Sequence, residues 1–195
     1  MIRAASTSDL DRVASTLADA FWDDPVTTFT VPEGSVNRQR RLELFMRAGA
    51  KGGLRHQSLF VSDDLDAAAV WRPPGHWKVA MSEMLPAMPA MLYALRGRAR
   101  VSMGMLTTME KAHPTEPHWY LEILGTRKAA QGKGLGSAVM QPILDRCDGE
   151  GVPAYLESSK ESNIPFYERH GFRVTGEITP PHGAPTLWAM WRDPR

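Results

Sequence analysis

Gln131-Gly132-Lys133-Gly134-Leu135-Gly136-Ser137 sets three glycines and a lysine between a strand-like run, Trp119–Thr126, and a helix-like run, Ala138–Cys147. A glycine-rich turn that opens a helix presents unpaired backbone N–H groups and the positive end of the helix dipole, and that combination binds phosphate. Glycine permits positive φ and close backbone approach, and Lys133 adds a charge. Spacing excludes two common phosphate loops. A G-x-x-x-x-G-K-[ST] loop fails because Gly134 follows Lys133 and Gly125 lies too far back. A dinucleotide fingerprint needs G-x-G-x-x-G near the start of a βαβ unit, whereas here G-x-G-x-G lies deep in the second half. The pattern that remains is Q-x-x-G-x-G, on Gln131, Gly134 and Gly136, and it predicts a phosphorylated ligand.

A second motif follows about thirty residues later, Asn163-Ile164-Pro165-Phe166-Tyr167-Glu168-Arg169-His170-Gly171-Phe172. Between the two, Val152-Pro153-Ala154-Tyr155-Leu156-Glu157 reads as a strand. The Q-x-x-G-x-G loop, and a helix carrying a tyrosine four residues before Gly-Phe, resemble the two hallmarks of the GNAT acetyltransferase superfamily. Within it, Gln131–Met140, Gly151–Ala154 and Asn163–Phe172 are similar to the puromycin N-acetyltransferases. Ala20-Phe21 with Asp24-Pro25, and Ala69-Val70-Trp71, extend the similarity loosely into the first half.

The resemblance implies an α/β (α+β) fold: a mixed, mostly antiparallel sheet of about seven strands with helices on both faces. It implies acetyl-CoA as cosubstrate and the primary amine of a small molecule, an aminonucleoside or other antibiotic amine, as acceptor. The pyrophosphate would lie on the N–H groups of Gln131, Gly132, Lys133, Gly134, Leu135, Gly136 and Ser137. The pantetheine arm would pair with the backbone of Leu124, Gly125 and Thr126, where neighbouring strands splay. Asn163 and Phe166 of the second motif join the cofactor site. Many members carry asparagine seven residues before the tyrosine, where this chain has Lys160; Asn163 therefore either touches the cofactor or caps its helix.

Acetyl transfer to an amine needs a polarised thioester, a neutral amine and a proton for the leaving thiolate. Tyr167 sits at the motif position for the last task. A phenol with a pKa of about 10 can protonate a thiolate whose conjugate acid lies near about 8.5. Two carboxylates are candidates for the general base. Glu122 lies on the central strand and shares a face with Tyr120 and Leu124 if that strand is regular; Glu157 ends the neighbouring strand. Either is a base or a structural acceptor. Trp22 and Asp24 belong to an aromatic and acidic cluster with Phe21 and Asp23; with Trp71 and Tyr120 they are candidates to bind the acceptor. Cys147 falls late in its helix, so direct attack in a ternary complex is expected rather than a covalent intermediate. Two other readings stay open, a peptide amine acetyltransferase and a non-catalytic acyl-CoA sensor.

Composition agrees with a single globular enzyme domain spanning residues 1–195. The chain has 43% hydrophobic and 23% charged residues and a net charge of +1, which gives no strong attraction to nucleic acid or membranes. A single cysteine, no signal peptide and no apolar run of the roughly 20 residues that span a bilayer suit the cytoplasm. The histidines and the cysteine show no zinc spacing, so no metal is expected. Association is as a monomer or homodimer.

Periodicity places these groups on elements. A first strand covers Met1–Ala5, and Ser8-Asp9 caps a helix to about Phe21 with Leu10, Val13, Leu17 and Ala20 on one face. Trp22–Pro32 reads as a loop, and Ser35 to about Lys51 as a helix ended by Gly52-Gly53. Ser58–Ser62 and Ala67–Arg72 form a hairpin. Residues 77–112 read as two helices or one kinked at Pro86 and Pro89, a lid or a dimer face, with Met84, Met88, Met91 and Leu95 as a core stripe. His118–Thr126 is the central strand, Val152–Ser158 its parallel neighbour, and Phe172–Ile178 with Pro185–Trp191 a closing hairpin.

Overall fold

Short runs of β-branched and aromatic residues, bounded by turn formers, gather into one seven-stranded sheet in this computed structural model, which describes residues 1–195. The strands are β1 Ile2–Ala4, β2 Leu59–Ser62, β3 Ala67–Arg72, β4 Trp119–Thr126, β5 Ala154–Ser158, β6 Arg173–Ile178 and β7 Leu187–Arg192. Their order is β1-β2-β3-β4-β5-β7-β6, and every pair is antiparallel except β4 with β5. The helices are α1 Leu10–Ala20, α2 Pro25–Thr30, α3 Arg38–Arg55, α4 Met81–Leu95, α5 Ala99–Ala112, α6 Leu135–Glu150 and α7 Ile164–Arg169. None is long and apolar enough to cross a membrane.

Alternation along the strands divides the core between two faces. On one face, Leu10, Val13 and Leu17 of α1 and Met46 and Ala50 of α3 pack on Leu59, Val61, Ala68 and Val70. On the other, Val139, Met140, Ile143 and Leu144 of α6 pack on Ala67, Ala69, Trp71, Trp119 and Leu121. The mixed, mostly antiparallel sheet with helices on both faces is the architecture expected.

Several local expectations are corrected. Trp22–Pro32 is not all loop: Asp24 accepts N–H bonds from Val26 and Thr27 and Pro25 occupies the first helical position, which starts α2. Gly52 and Gly53 do not end α3; the helix runs on to Arg55. A Cβ at Gly52 would lie 2.1 Å from the Arg72 guanidinium and one at Gly53 would lie 2.8 Å from Val70, so these glycines let α3 press on the sheet. Residues 81–112 form two helices that break at Gly97, at φ 73°, while Pro86 and Pro89 lie inside α4. The methionine stripe is not core: Met84 and Met88 are exposed, and Ala94 is the buried residue of α4. The cap of the first helix also moves, from Ser8 to a capping box between Ser6 and Asp9.

Candidate active site

β4 and β5 begin as paired neighbours and then part. Their register holds for Trp119↔Ala154, Tyr120↔Tyr155 and Leu121↔Leu156, yet β4 continues to Thr126 and β5 to Ser158. Beyond Leu121 the edge of β4 that faces β5 has no strand partner. A cleft of about 420 Å³ opens there, lined by Leu121 to Thr126 of β4, Leu156 to Lys160, and Tyr167 of α7.

β4 is not regular. Its pairing with β3 shifts between Val70↔Ile123 and Trp71↔Leu121, leaving Glu122 as the extra residue of a bulge. The bulge puts both Glu122 and Ile123 toward α3, against Gly49, and turns Leu124 to the α6 side. Glu122 therefore shares a face with Tyr120 but not with Leu124, contrary to the regular-strand expectation.

The glycine loop continues from the cleft at Gln131. Gln131 Nε2 donates to the Thr126 carbonyl at 3.1 Å, which ties the loop to the end of β4. Gly132 and Gly134 take φ of 78° and 77°, a region L side chains avoid. Gly134 is the N-cap of α6, and no N–H from Gly132 to Ser137 donates to another backbone group. Lys133 is exposed and makes no ion pair. This is a ready anion cradle, and with the free β4 edge the residues present fit a pyrophosphate followed by an amide-bearing arm. Leu124, Gly125 and Thr126 line the cleft as expected. Gly125 has a second duty, because a Cβ there would lie 2.8 Å from Leu17 and 3.0 Å from Ala20 of α1.

Tyr167 lines the cleft, and burial first, then the Asp24 carboxylate, pushes its phenol well above the ordinary value. Asp24 is 4% exposed. Burial raises its carboxyl despite the bonds it accepts from Ser159, Thr27 and Val26. Asp24 thus lines the cleft, but its direct work is to cap α2 and hold Ser159. Asn163 also lines the cleft and makes no capping hydrogen bond, so its amide is not spent on the helix.

The two candidate bases lie in different surroundings. Glu122 accepts from Arg72 Nε at 2.6 Å, and Arg72 reaches Glu83 of α4 at 2.9 Å. Burial raises the Glu122 carboxyl while Arg72 opposes it. Glu157 lines the same cleft with its side chain 3% exposed; no lysine or arginine faces it, His113 lies 3.5 Å away, and the phenols of Tyr120 and Tyr155 stand beside it. Its Oε1 receives no hydrogen bond.

Besides Gly132–Ser137, which lie beyond the cleft on the loop, four expected site residues do not reach it. Trp71 is fully buried under α6, because alternation along β3 points it into that core. Trp22 lies under the Arg38 guanidinium, 4.3 Å from the ring centroid, so the cation it faces is the protein's own. Tyr120 is packed against Tyr155 and Trp191 beside Glu157 rather than along the opening. Phe166 backs the glycine loop, 3.6 Å from where a Gly136 Cβ would stand. Sequence reasoning missed Arg72, His113, Ser159 and the pair Lys128 and Lys160, which both hold Asp23. An arginine closing the apolar run Ala67–Trp71 was the one available signal. Cys147 is buried and its thiol pushed up to about 12, so it is no nucleophile.

Comparison with known proteins agrees with this geometry. The model of the acetyltransferase (GNAT) family matches residues 58–172. An uncharacterized N-acetyltransferase of Schizosaccharomyces pombe is 30% identical over 184 residues, covering 87% of this chain and 73% of that protein. Among solved structures, a histone acetyltransferase HPA2 and related acetyltransferase from Corynebacterium glutamicum superposes with a TM-score of 0.74 at 22% identity, covering 100% of this chain and 96% of the other. A Drosophila melanogaster polyamine N-acetyltransferase superposes at 0.66 and 17% identity, over 99% of each chain. These two share the fold.

Proposed function

The chain belongs to the GNAT acetyltransferase family, and from that premise we propose that it is an acetyl-CoA-dependent N-acetyltransferase for the primary amine of a small molecule. The observation that carries the reading is the parting of β4 and β5 after Leu121↔Leu156, with the unpaired N–H groups of Gly132–Ser137 at one end and Glu157 and Tyr167 between. Acetyl-CoA supplies the acetyl group as a thioester. The N–H groups of Gly132–Ser137 hold its pyrophosphate, and the free edge of β4 at Leu124–Thr126 orients the arm. Tyr167, kept protonated by burial and Asp24, donates its phenolic proton to the departing sulfur. Glu157 receives the proton the acceptor nitrogen loses, and attack is direct, in a ternary complex.

The cleft favours a cationic acceptor. Glu122 is offset by Arg72 and Asp23 by Lys128 and Lys160, whereas Glu157 faces no lysine or arginine. Aminonucleosides of the puromycin type carry such an ammonium and are the first acceptors to try. The test is a calorimetric titration with acetyl-CoA and with CoA. Micromolar binding that Gly134→Ala weakens supports the reading; no binding of either ligand overturns it.

A further inference from the structure

Glu157, the base of the proposed acetyl transfer, heads a row of buried groups that leads away from the cleft, and the inference rests on that role. Its Oε1 lies 3.5 Å from His113 Nδ1. His113 Nε2 lies 3.0 Å from His118 Nε2, and His118 Nδ1 lies 2.6 Å from the Glu116 carbonyl oxygen. His113 is the residue after α5 and His118 the residue before β4, so the six-residue connection turns both rings inward toward β5.

The protons along this row are determined from its far end. A carbonyl only accepts, so His118 carries its proton on Nδ1 and, when neutral, a lone pair on Nε2. His113 Nε2 must then donate. A neutral His113 keeps its lone pair on Nδ1, and that lone pair faces the Glu157 carboxylate. Two acceptors oppose each other, and the Glu157 Oε1 is the oxygen that lacks a donor. The row is one proton short at that point. A proton placed between Oε1 and Nδ1 is bonded from both sides, whichever atom bears it.

Every neighbour leaves that place without a cation. Trp77 stacks on His113 at 3.8 Å, and Tyr120 from β4 and Tyr155 from β5 meet the same ring edge-on at 4.9 Å each. Burial first, then Glu157, pushes both phenols upward, so neither is a competing anion. Burial also lowers His118, which keeps it neutral beside Glu116 and His113.

We propose that the Glu157–His113 pair is the site that takes and holds the acceptor's proton, with His118 as the positioning residue that fixes the His113 tautomer. In the transfer, an N–H bond of the acceptor ammonium breaks and an O–H bond at Glu157 or an N–H bond at His113 Nδ1 forms. The electron pair stays on the acceptor nitrogen, and the pair passes from one negative charge to none.

His118 lies outside the cleft lining, which makes it the diagnostic position. In His118→Gln the amide can donate to His113 Nε2. That drives the His113 proton to Nδ1, where it bonds the Glu157 carboxylate and lowers the pair's affinity for a further proton. The expected result is an ascending limb of the kcat/KM–pH profile moved about one pH unit toward acid, with kcat down about tenfold and acetyl-CoA affinity unchanged. A limb that stays in place overturns the proposal. Nitrogen-15 histidine spectra of the wild-type protein, recorded without substrate, test the same claim independently of turnover. They should show His118 protonated on Nδ1 and His113 on Nε2 at high pH, and the reverse tautomers would overturn it. If the wild-type protein turned over no amine while the tautomers were as stated, the acetyltransferase reading would be the part that fails, and the role in transfer would fail with it.

Discussion

Arg72 Nε donates to Glu122 Oε2 at 2.6 Å across the bulge of β4, with the guanidinium laid against Gly52 of α3 and its other arm on Glu83 of α4. One buried cation thereby joins the sheet, two helices and a carboxylate of the cleft. Its partners give Glu122 a structural task, which is the reason Glu157 is the base we propose.

Removing that cation leaves the half-buried Glu122 carboxylate without compensation. Arg72→Met should destabilise the fold by about 3–5 kcal/mol, as loss of one partner of a buried ion pair does. Denaturant unfolding measures it, and Arg72→Met combined with Glu122→Leu should recover much of the loss. A cost under about 1 kcal/mol for the single variant would deny the pair its role.

The two carboxylates of the cleft should separate kinetically. Glu157→Gln should lower kcat by about 10²–10⁴-fold, the usual worth of a general base, while Glu122→Gln should stay within about tenfold of the parent. Steady-state rates at saturating acetyl-CoA decide between them. The reverse order would return the base to Glu122.

Gly125→Ala places a methyl 2.8 Å from Leu17 and 3.2 Å from Phe21. Overpacking of that kind costs about 1–3 kcal/mol and pushes α1 from β4. Because Ala20 and Phe21 line the cleft, the midpoint of thermal unfolding and the acceptor KM should change together. An unaltered midpoint would contradict the packing described.

Asp9 gives a pH signature of the fold alone. It accepts from Arg3 at 2.8 Å and 3.0 Å and from the Ser6 N–H at 2.7 Å, and these bonds, Arg3 first, hold its carboxyl far below the ordinary range. A depressed folded-state pKa contributes stability above the unfolded value, near about 3.9, that is lost as pH falls toward the folded value. Asp9→Asn should therefore cost about 1 kcal/mol at neutral pH. The gap between variant and parent should narrow below about pH 4. Unfolding curves at pH 7 and pH 3 measure it.

Local chemistry was legible in the chain, and distant pairing was not. Gly132 and Gly134 announce themselves because a positive φ at the mouth of a helix calls for glycine. Tyr167, which lines the cleft, was singled out by its resemblance to a motif with tyrosine four residues before Gly-Phe. Arg72 and Glu122 stand fifty residues apart and meet through strand register and a bulge, neither of which leaves a mark on periodicity. His113 and Glu157 meet because β4 and β5 pair in parallel, so the pair stayed hidden although Glu157 itself was singled out. Trp71 was misplaced because an aromatic on a strand near the cleft reads alike whether it faces the opening or the core under α6. Asp24-Pro25 carried a helix-start signal that two prolines in a polar stretch obscured.

Acetyl transfer with Tyr167 as the acid is tested most directly by release of free thiol from acetyl-CoA. The wild-type protein and Tyr167→Phe are compared with a panel of primary amines that includes puromycin and simple diamines. Amine-dependent thiol release is expected from the wild-type protein, with a fall in kcat of about 10²-fold or more in the variant and equal CoA affinity in both. Release that ignores the amine, or a variant as fast as the parent, would contradict the assignment.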